Sequence, residues 1–187
     1  MMKASTLTLV AFLTGATAWA DCPAAPDHTE ALADLISQVR AAKNETQGRA
    51  FSARMWQLWA DAPDEIAQAV LDRGMGRRES FDLLGAISDF DALIEYCPDY
   101  AEGYNQRAFA NFLQGNFAPA VGDLQKAIEL SPNHIAARAG LALTYMQLGD
   151  LELARAELLT AVELNPWLSE RRLLEKGGPL ALKGQDI

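Results

Sequence analysis

The sequence predicts an all-α fold of stacked antiparallel helix pairs, and three observations carry that expectation. Pro98, Pro132 and Pro166 recur every 34 residues. Ala86, Ala120 and Ala154 hold the same period, as do the larger apolar positions Phe90, Leu124 and Leu158. Asp82, Asn116 and Asp150 keep a third phase of it, each a residue type suited to a helix N-cap, with Gly115 and Gly149 just before two of them. Proline has no N–H to donate and disfavours helix in the residue before it, so each proline marks a helix end. Small residues such as Ala108 and Ala142 let one helix approach its partner, and Phe117, Leu124, Leu151 and Leu158 fill the space between pairs. A unit of this size cannot bury its apolar face alone, so neighbours stack.

A 34-residue period with this residue pattern, clearest over 101–132 and 141–166, resembles the tetratricopeptide repeat (TPR) family. The resemblance covers residues 67–168 and places repeats at 67–100, 101–134 and 135–168. It implies a right-handed superhelical stack of antiparallel helix pairs, a TPR α-solenoid. Arg73, Arg77 and Phe81 stand where the family pattern has Leu, Tyr and Gly, and Arg107 and Asn111 stand where it has Leu and Tyr.

The flanks are read from local signals. Residues 21–29, with Pro23 and Pro26, form an arm. Leu32, Leu35, Ile36 and Val39 recur at helical spacing, and Asn44 caps a second helix running through Phe51, Met55, Trp56 and Trp59 to Ala60. Together, residues 21–66 read as the arm plus a degenerate N-terminal helix pair, with Trp56 and Trp59 expected in the core; left exposed, they would instead be binding hot spots. After Pro166, Ser169 caps a C-terminal helix that hides the open end of the stack, Gly177-Gly178-Pro179 breaks it, and the last residues of 169–187 are expected to fray.

Residues 1–20 read as a secretory signal. Lys3 supplies the positive start, 7–13 the apolar run, and Ala18-Trp19-Ala20 the small-x-small cleavage pattern. The chain is therefore expected to be exported, and periplasmic in a double-membrane bacterium. The apolar run is shorter than the ~20 residues that span a bilayer, and no membrane span is expected. Export leaves two readings for Cys22 and Cys97: a candidate disulfide, or two free thiols.

The formal net charge of −9 disfavours nucleic acid and anionic lipid surfaces as partners. No constellation carries chemistry. Gly74-Met75-Gly76 lacks a third glycine and a preceding strand, and no phosphate loop or metal-ligand spacing is present. His28 and His134 leave little general-base machinery. No catalytic residue, cofactor or metal is expected, and the chain reads as a non-enzymatic scaffold for an unknown protein or peptide partner. By analogy with the family, the concave face holds Leu71, Met75, Arg78, Glu102, Asn105, Phe109, Phe112, Leu143 and Met146. The family's chaperone-tail clamp grips a terminal carboxylate with Lys, Asn and Arg. Leu71, Met75, Phe109 and Ala139 occupy such places here, so that activity is not implied. Two alternatives stay open: the chain's own terminal helices fill the groove, or the chain is a structural module that self-associates through its helical faces.

Overall fold

The computed structural model describes residues 22–182, and the predicted leader lies outside them. The described residues form eight α-helices and one 3-10 helix, with no strand among them. α1 (Thr29–Arg40) and α2 (Glu45–Trp59) make one hairpin. α3 (Glu65–Glu79) pairs with α4 (Leu83–Tyr96), α5 (Ala101–Leu113) with α6 (Phe117–Leu130), and α7 (Ile135–Leu148) with α8 (Leu151–Leu164). A 3-10 helix, Ser169–Leu174, takes the place of the C-terminal cap. From α3 onward each pair packs on the next, an α-solenoid of helix pairs.

The period has a visible cause in the core. Ala86, Ala120 and Ala154 are fully buried, as are Phe90 and Leu158. Gly74 faces the ring of Phe90 so closely that a Cβ would stand 2.5 Å from it, so α3 and α4 meet at a residue with no side chain. The turns within the three pairs share one hydrogen-bond pattern. Asp82, Asn116 and Asp150 each donate their N–H to the carbonyl five residues back, on Arg77, Asn111 and Tyr145, each at 2.9 Å. The residue before each donor is left-handed: Phe81 at φ 61°, Gly115 at 80° and Gly149 at 86°. This is the helix stop that favours glycine, because a Cβ crowds the backbone there. Asp82 also caps α4 through Gly85 N–H, whereas Asn116 and Asp150 occupy the N-cap place without a side-chain bond.

The N-terminal hairpin does not extend the stack at its first repeat. Leu35, Val39, Met55 and Trp59 instead form one cluster with Ile135 of α7, Ala161 of α8 and the partly buried Trp167. Trp167 lies on Gly48, where a Cβ would stand 2.4 Å from the indole Cγ, and Asn165 donates to the Ser52 hydroxyl at 2.9 Å. The hairpin thus docks on the last repeat, while the arm before it is joined to the first by a disulfide between Cys22 and Cys97, 75 residues apart. The C-terminal segment also departs from expectation. Past the glycine-proline break the chain folds back through 182, with Leu180 fully buried against Ala142, Ala154 and Leu158, and the last residues expected to fray, 183–187, lie outside the described ones. The Leu180 N–H donates to the Leu173 carbonyl at 2.9 Å, and Arg155 Nε donates to the Leu180 carbonyl at 2.8 Å.

Candidate functional site

The first helices of the three pairs, α3, α5 and α7, line a concavity whose far wall is Trp56 of α2 and the segment around Leu168 and Glu170. It encloses about 410 Å³. Ala136, Ala139 and Gly140 on α7 keep that side low, and α5 supplies the aromatic floor, Phe109 and Phe112. Phe109 and Trp56 are 45% and 42% exposed, large values for aromatic side chains in a recess. Phe112 meets Phe117 edge to face at 5.5 Å, which fixes its ring.

Five residues expected on the concave face come together here: Arg78, Asn105, Phe109, Phe112 and Leu143. Four do not. Leu71 is fully buried in the cluster of Ala67, Phe90 and Leu93, since its turn of α3 faces α4. Met75 packs on the edge of the same cluster, and Met146 packs with Ala154 and Leu158. Glu102 is 1% exposed and belongs to an internal network. Trp56 is the converse case, placed in the core by sequence and in the concavity by structure. Met55 and Trp59 are four apart and make the buried stripe of α2, and Trp56 sits about 100° round the helix from Met55. That offset was available as a sequence signal.

Beneath the floor lies a buried polar network. The Ala137 N–H donates to His134 Nδ1 at 3.2 Å, so Nε2 carries the proton and donates to Glu102 Oε2 at 2.8 Å. The side chains of both residues are fully buried. Asn105 Nδ2 and Gln106 Nε2 also donate to the Glu102 carboxylate. Trp59 stacks on the His134 ring at 4.4 Å, and the Tyr100 hydroxyl donates to the Trp59 carbonyl at 2.9 Å. Burial pushes the Tyr100 hydroxyl well above its ordinary pKa. A buried carboxylate is tolerable only with its acceptors filled. Here they are filled by residues of α5 and the cap of α7, while Trp59 ties α2 to the same point. The network fixes the positions of the three walls.

One cation enters the concavity. Arg78 lies with its guanidinium carbon 4.8 Å from the centre of the Phe109 ring, and its Nη1 donates to Gln106 Oε1. Burial lowers the Arg78 pKa from the ordinary guanidinium value, with Glu79 and Glu102 opposing that shift. The described residues hold no cluster of His, Cys, Asp and Glu arranged for a metal, and no described helix is long and apolar enough to cross a membrane.

Comparison with known proteins agrees with this architecture. Residues 111–167 match the tetratricopeptide repeat family model. That match runs from the end of α5 through α8, so this stretch is similar to tetratricopeptide repeats. A TPR repeat-containing protein of Rhizobium etli is 25% identical over 122 residues, 65% of this chain and 60% of that protein. A tetratricopeptide repeat protein 36 homolog of Nematostella vectensis is 43% identical over 67 residues, 36% of this chain and 37% of that protein. The chain thus spans less than two thirds of each of these relatives. Among solved structures, the Arabidopsis OM64 TPR domain superposes with a TM-score of 0.58 at 20% identity, covering 60% of this chain and 93% of that one. The TPR2B domain of yeast Sti1, in its Hsp70 complex, superposes with a TM-score of 0.54 at 25% identity, covering 59% and 90%. Both likenesses cover most of the other chain and about three fifths of this one.

Proposed function

We propose that this TPR protein is a non-enzymatic adaptor of the cell envelope that holds a segment of another protein in the concavity between α2, α5 and α7. The observation that carries the reading is the exposure of Trp56 on the far wall and Phe109 on the floor of one recess. Aromatic side chains held half-open on a rigid frame are what binding sites use to anchor an apolar side chain. The solved neighbour from yeast Sti1 is a pHsp70 complex, which supports a polypeptide ligand for this fold. The Cys22–Cys97 disulfide and the leader-like first residues support an exported location, where such bonds persist. The ligand differs in kind from a chaperone tail, because Phe109 and Ala139 replace the polar clamp with apolar surface.

A photo-crosslinking residue placed at Phe112 in intact cells tests the reading. Crosslinks to one partner from that position, absent when the same probe replaces the exposed Leu153 on α8, are expected. Equal labelling from both positions, or crosslinks only between copies of this chain, would favour the self-associating module instead.

A further inference from the structure

We infer that the concavity selects a segment bearing one side-chain carboxylate next to bulky apolar residues, with Arg78 as its anion anchor. The inference rests on the concavity being a polypeptide site. Arg78 is the one Lys or Arg among the described residues that line it. Its side chain is only 13% exposed, and the carboxylate paired with it, Glu79, stands 3.8 Å away on a side chain 73% exposed. Glu102 offsets part of the cost of burial, yet only Glu79 comes within ion-pairing distance, so the guanidinium is incompletely compensated. A carboxylate entering the recess would gain charge-assisted hydrogen bonds from a planar fork already held in place by Gln106 and the Phe109 face.

The surroundings narrow the ligand further. The side-chain amides of Asn105 and Gln106 are neutral and turn N–H donors to Glu102, which leaves Arg78 as the one charged donor among the described lining residues. One guanidinium suits one carboxylate on a side chain better than a chain terminus gripped by several donors. Glu170 sits on the opposite wall and disfavours a further negative charge, as does the net charge of −9. The Trp56, Phe109 and Leu143 walls take aromatic or aliphatic neighbours of that single acid. A lone Asp or Glu within an apolar segment fits, and an acid-rich tract does not.

The test is selection from a display library of random peptides held at both ends, so that no free C-terminus is offered, against the disulfide-bonded chain without its leader. Enriched peptides are expected to carry one Asp or Glu beside aromatic or aliphatic residues. Amidating that acid in the best peptide, Glu to Gln or Asp to Asn, should weaken binding about tenfold by fluorescence anisotropy, a measurement that leaves the protein untouched. Arg78→Gln should abolish the difference between the acid and amide peptides, and Phe109→Ala should weaken both. Enriched peptides without an acid preference, or an undiminished preference in Arg78→Gln, overturn the inference while leaving the groove reading in place. No enrichment at all overturns both.

Discussion

At its first end the stack finishes in α3, whose Arg73 and Arg77 reach back to Asp89 of α4. Arg73 bonds it at 2.9 and 2.8 Å, and Arg77 pairs with its other oxygen at 3.1 Å. At its last end the stack finishes in α8, where Ala154 and Leu158 are covered by Leu173, Leu174 and Leu180 of the returning chain. The first end carries these charged pairs, leaves Ile66 and Leu84 exposed, and is stapled covalently through Cys97. The last end is apolar and is closed by added chain, the tail on one side and the α1/α2 hairpin on another. A solenoid must hide or solvate each open face, and this one does it by side-chain charge at one terminus and by recruited backbone at the other. The two devices predict different responses to damage.

Removing the staple should have the largest effect. Cys22→Ser with Cys97→Ser should cost about 4 kcal/mol, given the long loop the bond closes, and lower Tm on the order of 10 °C. Hydrogen exchange should quicken around 22–28 and 97–100 and leave 173–181 as it was. Leu180→Ala should cost about 3 kcal/mol, since a fully buried leucine is truncated in a packed cluster, and should quicken exchange in 173–181 while sparing the first repeat. If both variants loosen the same residues, the ends are not independent and the contrast fails.

Much of the stack was legible because its determinants are local and repeated. Proline stops, buried alanines and left-handed turns each act within one hairpin, so a 34-residue recurrence reports them directly. What escaped reading depended on contacts across the chain. Nothing near Trp56 in sequence says that Trp167 would lie over Gly48 and turn the hairpin toward the last repeat. Likewise Leu180 follows a Gly-Gly-Pro breaker, and only the bare side of Ala154 and Leu158 explains why it returns. Of the expected groove residues, those on the middle of α5 were placed by analogy with the family. Leu71 was misplaced because α3, as an end helix, turns that side chain into its own partner rather than along the array.

The departures from the family pattern form a finer comparison between the first two repeats and the third. Arg73 with Asp89 and Arg107 with Asp123 are the same pair one period apart, and the third repeat places Leu141 where the arginines stand. Arg107 bonds Asp123 at 2.8 and 2.6 Å and Asp91 at 2.7 Å, and these carboxylates raise its pKa further. Asp123→Ala should therefore cost about 2 kcal/mol, between the values for exposed and buried pairs. Arg107→Leu with Asp123→Ala should recover most of that loss by moving the second repeat toward the third. Urea denaturation of the two single variants and the double would show the coupling; strictly additive losses would mean the pair stabilises nothing as a pair.

The smallest effect expected is at Phe81, and it runs the other way. Phe81, Gly115 and Gly149 occupy the same place in the same turn, yet only the first carries a side chain at positive φ. That side chain is 77% exposed, so it recovers little burial in return for the backbone crowding. Left-handed geometry costs an L-residue about 1–2 kcal/mol. Glycine forfeits part of that gain through its freer unfolded chain, worth about 0.4–1 kcal/mol. Phe81→Gly should then stabilise by about 0.5–1 kcal/mol, and Gly149→Ala should destabilise by a similar amount, both read as shifts in the urea midpoint. A loss on Phe81→Gly would mean that the aromatic ring holds a contact the exposed geometry does not reveal, and the first turn would then differ from the third in more than strain.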